Sequence, residues 1–292
     1  MSYFFSFLIV IFYLSFCFLY PNLIKETTID SINTFLKVLL PSILPMYLIS
    51  NILINNVFFN KLTYKLKFLF KVFDSPKCIT LFLTSILVGS PTSIINIINN
   101  YQNKEISYND LIILIKSSSF MNPLFIFTIC KLFHFNFLIT FYIILTNILI
   151  NYIILITNEK KNISNFVFTN ELNFFKLITN SFQMLYNIFI IFLFMNFLKL
   201  PISLIDNKLI QILFSILEIT SGILSINKFN LPLLFNILII IILLSTNGIT
   251  ICLQAINEIK KVSNSRHLIN GFLKSKVYQL VLNLLLFLIF FI

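Results

Sequence analysis

The chain has 292 residues, of which 58% are hydrophobic and 11% are charged. Soluble globular domains average about 45–50% apolar and roughly 25% charged residues, so this composition excludes an ordinary soluble domain. The formal net charge of +11 does not indicate a nucleic-acid partner, because membrane proteins collect Lys and Arg in their cytoplasmic loops.

Apolar runs of about 20 residues, the length needed to cross a bilayer core, recur along the chain. They predict an all-α polytopic membrane protein in the lipid bilayer, with about nine transmembrane segments in two related halves. Whether the runs 78–100 and 111–130 span the bilayer fully or re-enter stays open. In chain order the runs are Ser2–Tyr20, Val38–Phe59, Cys78–Asn100, Leu111–Cys130, Phe135–Ile156, Leu177–Leu198, Leu209–Ile226, a run that begins near Leu231, and Val277–Ile292. The polar loop Thr157–Lys176 divides one integral membrane unit into halves at 1–156 and 157–292.

Basic residues are shared unequally between the two sides that nine crossings create. The loops near 60–77, 131–134, 199–208 and 258–276 hold 13 basic and three acidic residues, whereas the other side holds seven and six. Lys and Arg concentrate on the cytoplasmic side of membrane proteins. The count predicts a multi-pass protein of the cell membrane, with the N-terminus in the cytoplasm and the C-terminus outside.

Polar residues interrupt three of the apolar runs, at Gly89–Ser93, Lys116–Pro123 and Ser245–Gly248. Irregular backbone is tolerated in lipid only where it is buried in protein or lines a wet cavity. Interrupted helices near the midplane, in matching places of two halves, mark the binding sites of transporters. Their exposed amides and positive half-helix ends suit an anionic group. Ser, Thr and Asn are also ordinary packing residues in membrane bundles, and that alternative stays open.

Glu218 is the acidic residue of the seventh apolar run, "ILEITSGIL". A charged side chain at a helix centre costs about 2.5–3.5 kcal/mol on insertion scales, so a functional role is expected. Protonation, cation binding or pairing with Lys116 each removes that cost, and these options correspond to proton coupling, sodium coupling or a gating pair. A carboxylate that ties unwound backbone amides together is the structural alternative. Lys116 also has an alternative, because a long side chain can reach the membrane surface.

The interruptions define a predicted site for a small-molecule solute, with Glu218 and Lys116 as the coupling or gating residues. Its members are the small, hydroxyl and amide residues at the breaks, together with the carboxylate. They are Gly89, Ser90, Pro91, Thr92, Ser93, Ser117, Ser118, Ser119, Asn122, Pro123, Glu218, Ser245, Thr246 and Asn247.

Enzyme chemistry finds little support in the sequence. The four cysteines lie alone in apolar segments without metal-ligand spacing, and neither histidine has partners at catalytic spacing. The chain contains no nucleophile elbow, phosphate-binding loop, zinc signature or paired carboxylates. We therefore expect no enzyme activity, no metal and no cofactor.

Four segments carry a family resemblance. The stretch "GSPTSIINIINNYQNKEISYNDLIILIKSSSFMNPLFIFTI" is similar to the central signature of the YlbJ-type sporulation integral membrane proteins, which are built on the nucleoside-recognition, or Gate, domain. "LLPSILPMYLISNILI" resembles that family's proline-rich second helix. "LEITSG" resembles its Leu-Glu-x-Thr-x-Gly element, and "STNGITICLQ" resembles its Ser-Phe-Gly-Gly segment ending in Gln. The resemblance adds Thr220 and Gln254 to the predicted site.

The chain departs from the family pattern at the breaks themselves. Ser90 stands where an aromatic residue is usual, and Asn122 replaces the Gly before Pro123. Thr246 and Asn247 replace Phe-Gly. Lost glycines change how closely the backbone can approach a solute.

The resemblance implies a membrane protein of late sporulation. One branch of the family is associated with movement of dipicolinate, a small aromatic dianion, from the mother cell toward the forespore. The predicted function is therefore a permease for a dipicolinate-like solute in the outer forespore membrane, with coupling to protons or sodium ions left open. The alternatives are a non-transporting sporulation scaffold or regulator, and a nucleoside-type transporter.

Overall fold

The computed structural model describes residues 2–159 and 174–291. The chain is 81% helical and contains no strand within these ranges, so the prediction of an all-α protein is confirmed. The loop that divides the predicted halves lies mostly outside the described residues. In the described ranges, five helical stretches are long and apolar enough to cross a membrane, compared with the nine predicted runs. They are Pro21–Ile54, Phe137–Ile156, Leu177–Ser203, Leu233–Ile259 and Ser265–Phe291.

The helices before the dividing loop are α1 Ser2–Leu19, α2 Pro21–Thr34, α3 Leu40–Ile54, α4 Val57–Tyr64, α5 Lys77–Val88, α6 Thr92–Gln102, α7 Tyr108–Ser117, α8 Pro123–Leu132 and α9 Phe137–Ile156. A π-helical turn at Phe35–Leu39 makes α2 and α3 continuous. After the loop come α10 Phe174–Ser203, α11 Lys208–Phe214, α12 Ile219–Asn227, α13 Leu233–Thr246, α14 Gly248–Ile259 and α15 Ser265–Phe291.

Asparagine side chains begin several of these helices. Asn56, Asn122, Asn136 and Asn207 each accept a hydrogen bond from a backbone N–H group in the first turn of α4, α8, α9 and α11. Such caps satisfy donors that a helix start leaves free. The abundance of Asn in this chain is therefore compatible with high helix content.

Helices α5 and α6 form a hairpin whose two outer ends lie together. Lys77 Nζ lies 3.5 Å from the Glu105 carboxylate, and Ser75 Oγ donates to the Glu105 carbonyl oxygen at 3.3 Å. Gly89 reverses the chain between the helices with a φ of 70°. The third predicted run, Cys78–Asn100, therefore starts and ends at one end of the bundle instead of extending through it.

Helices α11 and α12 form a second hairpin. The ammonium of Lys208, at the start of α11, lies 6.0 Å from the ring centroid of Phe229, just beyond α12. At the hairpin's tip Gly222 packs so tightly on Ser215 that an added Cβ would overlap it. The seventh predicted run, Leu209–Ile226, folds back as well.

Contacts between loops define the two ends of the bundle. Tyr152 Oη donates to the Leu69 carbonyl oxygen at 3.1 Å, which places the end of α9 beside the lysine-rich loop before α5. The Asp110 carboxylate accepts the backbone N–H groups of Asp74 and Ser75, so α7 starts there too. We call this the basic end. The opposite end, where α8 ends and α9 begins, is the far end.

The hairpins correct the predicted sides of several loops. The loops near 131–134 and 199–208 were predicted on the side of 60–77, but they lie at the far end. The stretch 101–110 and residues 157–159 were predicted on the other side, but they lie at the basic end. The reason is that each hairpin returns to the end from which it starts, which shifts every loop between the two hairpins.

The described elements repeat in the order long helix, hairpin, broken helix and long helix. In the first half these are α2–α3, α5–α6, α7–α8 and α9, and in the second half α10, α11–α12, α13–α14 and α15. The first hairpin enters from the basic end and the second from the far end. A shared origin of the two halves stays a prediction.

Two apolar clusters fill the bundle, one toward each end, and the helix breaks lie where they meet. The far-end cluster includes Met121 between α7 and α8, Ile219 at the tip of the α11–α12 hairpin, and Leu244 shortly before the break between α13 and α14. The basic-end cluster includes Phe120 and Ile94. Because adjacent residues Phe120 and Met121 belong to different clusters, the break between α7 and α8 sits at the middle of the bundle.

Candidate functional site

The hairpin tip between α5 and α6 is hydrogen-bonded to the break between α7 and α8. The backbone N–H of Ser90 donates to the Phe120 carbonyl oxygen at 2.7 Å, and the hydroxyls of Ser90 and Ser119 lie 3.1 Å apart. Ser93 Oγ donates to the Ser118 carbonyl oxygen at 3.0 Å. These bonds satisfy backbone groups that the interrupted helices leave free.

Gly89 and Asn122 are in direct contact at this junction. A Cβ on Gly89 would overlap the backbone nitrogen of Asn122, so only glycine allows the two segments to approach so closely. Asn122 Oδ1 accepts from the Leu124 N–H at 2.8 Å and begins α8. Its Nδ2 donates to the Ser42 carbonyl oxygen at 2.8 Å, which ties the break to the proline-containing helix α3.

In the second half, the tip of the α11–α12 hairpin is hydrogen-bonded to the break between α13 and α14 in a similar way. The N–H groups of Ile249 and Thr250 donate to the carbonyl oxygens of Ile216 and Leu217, at 2.8 and 3.1 Å. Between α13 and α14 the chain passes through Asn247 in the left-handed region, with φ 58°. Each half thus contains a hairpin tip bound to a broken helix.

The breaks of the two halves meet at one serine. Asn247 Nδ2 donates to Ser119 Oγ at 3.2 Å. The ammonium of Lys276 donates to the Ser119 carbonyl oxygen at 3.1 Å and to Gln279 Oε1 at 2.6 Å. Gln279 Nε2 in turn donates to Asn151 Oδ1 at 2.7 Å, so this network links the breaks to α15 and α9.

Lys276 is a buried cation that sequence reasoning missed. The residue is only 6% exposed, and among the described residues no carboxylate pairs with it. Its neighbours in sequence predict a basic loop at 258–276, whereas Lys276 lies within the continuous helix α15. The available signal was the spacing of Lys276, Gln279 and Asn283, which puts three polar residues on one helical face.

Glu218 is 4% exposed and caps its own helix. Its carboxylate accepts the backbone N–H of Thr220 at 3.0 Å and that of Ser221. The positive end of α12, which suits an anion, is thus occupied by a carboxylate of the same chain. Within the described part of the chain, no ion pair joins Glu218 to Lys116, which lines a different cavity near the basic end.

One cavity collects residues from breaks in both halves, and we call it the central cavity. Its volume is about 50 Å³, which is enough for a few water molecules. Thr250 lines it, although it was not predicted. The predicted residues that line it are Ser90, Pro91, Thr92, Asn122, Glu218, Thr220 and Gln254.

The remaining predicted residues lie outside the central cavity, where they bond to or form part of the backbone junctions. Ser117 and Ser245 donate to carbonyl oxygens one turn earlier in their helices, and Thr246 does the same. The others form the junctions or begin a helix: Gly89, Ser93, Ser118, Ser119, Pro123 and Asn247. Asn122 lines the central cavity and Asn247 does not. That both contact one solute stays a prediction.

A wider cavity of about 560 Å³ lies beside the central cavity toward the far end, and we call it the far-end vestibule. Lys37, Lys199 and Lys228 line it together with one carboxylate, Asp30. Helix α12 connects the two cavities, because Thr220 lines the central cavity while Lys228, two turns later, lines the vestibule. The vestibule is a cleft with excess positive charge.

A comparison with protein-family models, curated proteins and solved structures finds no match for this chain. Its class therefore follows from the fold, whose apolar helices fit a multi-pass membrane protein. The resemblance to the YlbJ-type family stays a prediction.

Proposed function

We propose that this protein is a membrane permease of sporulation that moves a small anionic aromatic solute, of the dipicolinate type, across the outer forespore membrane. The observation that carries the proposal is the meeting of the helix breaks of both halves beside one cavity. Broken helices that meet in mid-bundle are typical of secondary transporters.

In the proposed topology the chain crosses the membrane seven times, and the two hairpins re-enter without crossing. The crossings are α1, α2–α3, α7–α8, α9, α10, α13–α14 and α15. An odd number of crossings keeps the N-terminus in the cytoplasm and the C-terminus outside, as the sequence analysis predicts. The basic end faces the cytoplasm in this scheme.

The positive-inside rule supports this orientation. Apart from Lys116, Lys176, Lys274 and Lys276, the described Lys and Arg residues divide into nine at the basic end and six at the far end. At the basic end they are Lys61, Lys65, Lys67, Lys71, Lys77, Lys104, Lys260, Lys261 and Arg266. At the far end they are Lys25, Lys37, Lys131, Lys199, Lys208 and Lys228.

The vestibule and the central cavity serve successive steps of transport. Clefts lined by one sign of charge concentrate counter-ions, so the lysines of the vestibule raise the local concentration of an anionic solute. The central cavity holds only a few water molecules, so a solute enters it when one hairpin moves against the rest of the bundle. Hydroxyl and amide groups of Ser90, Thr250 and Gln254 then contact the solute.

Glu218 supplies the coupling in this scheme. While ionised, it occupies the two amides at the start of α12 and excludes another carboxylate. A protonated Glu218 carries no charge, so a carboxylate of the solute can replace it at those amides. A sodium ion would need oxygen ligands, whereas the described hydrogen-bond partners of Glu218 are N–H donors, so the scheme uses a proton.

Uptake into sealed vesicles that contain the purified protein tests the proposal. Labelled dipicolinate should accumulate when a pH gradient is imposed, and unlabelled dipicolinate should compete while uridine should not. The matched control is Lys260→Gln, which changes an exposed lysine outside both cavities and should transport normally. Competition by uridine would instead indicate a nucleoside-type transporter. Folded protein that moves neither solute would favour the scaffold alternative and overturn the proposal.

A further inference from the structure

A crevice of about 650 Å³ separates α7, α9 and α15 near the basic end. It is distinct from the central cavity and from the far-end vestibule, and the proposed transport uses none of its residues. We call it the basic crevice. Lys116, Ile153, Asn158, Gly271, Lys274 and Tyr278 are among the residues that line it.

The upper part of the basic crevice is cationic and rich in hydrogen-bond donors. Lys116 and Lys274 line it with His267, and the amides of Asn158 and Asn270 lie between them. None of the described lining side chains is acidic. No carboxylate among the described residues forms an ion pair with either lysine. The site thus has positive charge without an internal counter-ion.

Gly271 gives the Lys116 side chain its place in this crevice. A Cβ at position 271 would lie 2.9 Å from Lys116 Cε. The stem of Lys116 therefore packs against bare helix backbone, and its ammonium is held in the crevice instead of extending freely from α7. This packing explains how a lysine in an apolar run is accommodated away from Glu218.

The lower part of the crevice is apolar and open to the surroundings. Tyr278 and Val281 follow Lys274 on the same face of α15, and they are 61% and 48% exposed. Ile153 on α9 faces them and is 42% exposed. Polar groups near the end of the helices and exposed apolar groups deeper in the bundle match the headgroup and acyl chain of a lipid.

We infer that the basic crevice binds an anionic phospholipid, with its phosphate between Lys116 and Lys274 and its acyl chain along Ile153, Tyr278 and Val281. Basic pockets between transmembrane helices bind anionic headgroups in this way. A soluble phosphate would use the cations but would leave the exposed apolar groups without a partner. The inference does not depend on transport of dipicolinate.

Thermal unfolding of the purified protein in neutral detergent tests the inference. Short-chain phosphatidylglycerol should raise the unfolding temperature, whereas phosphatidylcholine of the same chain length should not. Each lysine near a membrane surface contributes about fivefold to anionic lipid binding. The double variant Lys116→Gln/Lys274→Gln should therefore need about 25-fold more phosphatidylglycerol to reach half of the maximal rise in unfolding temperature.

Two control variants separate binding in the crevice from a general effect of surface charge. Lys274→Arg keeps the charge and should retain the shift. Lys260→Gln alters an exposed lysine at the same end but outside the crevice, and it should retain the shift too. The inference is overturned if the double variant responds like the native protein, if phosphatidylcholine gives an equal shift, or if inorganic phosphate alone reproduces it.

Discussion

At the scale of single residues, the structure separates two kinds of buried charge. Glu218 is compensated by backbone N–H groups at the start of its own helix. Lys276 is compensated by carbonyl oxygens and has no described acidic partner. The carboxylate is recognisable from the sequence because it interrupts an apolar run. The lysine is not, because a basic residue near a basic loop resembles loop sequence until the helix is seen to continue through it.

Replacement of Glu218 by Gln tests the coupling role. A glutamine offers one uncharged acceptor oxygen in place of two charged ones, so the cap of α12 is weakened, at a cost of about 1 kcal/mol. The protein should still insert and fold, but it should no longer accumulate dipicolinate in response to a pH gradient. Vesicle uptake measured across a pH series is the readout. A stable Glu218→Gln variant with native, pH-dependent uptake would assign Glu218 to bracing α12 alone.

Replacement of Lys276 by Met tests the junction at Ser119. The substitution leaves the Ser119 carbonyl oxygen and Gln279 Oε1 without their donor in a buried place. Each unsatisfied buried group costs about 1–3 kcal/mol, so the unfolding temperature should fall. Lys274→Met is the matched control, because Lys274 is exposed on the same helix and should change stability by about 0.5 kcal/mol or less. Equal unfolding temperatures for Lys276→Met and Lys274→Met would contradict a stabilising role for the Lys276 hydrogen bonds.

At the scale of elements, the sequence predicts where the chain breaks but not what each break does. The interruptions at Gly89 and Asn247 are recognisable from polar residues inside apolar runs. The run that contains Gly89 is as long as a membrane crossing, so its length alone predicts a span. Its reversal depends on contact between Gly89 and Asn122, 33 residues later, and no local pattern contains that information.

Gly89→Ala tests the hairpin tip. Gly89 has a positive φ of 70°, and an added methyl group would overlap the backbone of Asn122. Strain of this kind costs about 1–3 kcal/mol, and the overlap adds to it. Gly271→Ala is the matched control, because its nearest neighbour is the flexible end of Lys116 and not backbone. The unfolding temperature should fall clearly for Gly89→Ala and change little for Gly271→Ala. A larger fall for Gly271→Ala than for Gly89→Ala would contradict the close contact between Gly89 and Asn122.

At the scale of the whole molecule, the class of protein follows from composition and the topology does not. A composition that is 58% hydrophobic, with repeated apolar runs, fits a helical multi-pass membrane protein. The number of crossings depends on which runs fold back. Two reversals leave both chain ends on the sides that nine crossings would give them, so the sides of the termini alone do not distinguish the two topologies.

Cysteine labelling of those loops distinguishes the two topologies. Single cysteines replace Lys65, Lys104 or Lys208 in a background that lacks the four native cysteines. Intact cells are then treated with a membrane-impermeant thiol reagent. The two-hairpin topology places positions 65 and 104 at the basic end, in the cytoplasm, and position 208 at the far end. We therefore expect only position 208 to react.

The nine-crossing topology requires the opposite result at two of these positions. It puts Lys104 outside and Lys208 inside, while both topologies keep Lys65 inside. Lys65 is therefore the control for cell integrity, and reaction at all three positions after permeabilisation confirms that each cysteine is accessible. Labelling of position 104 in intact cells, with protection of position 208, would overturn the re-entrant hairpins. Because the central cavity lies between the two hairpin tips, that result would also remove the structural basis of the proposed solute site.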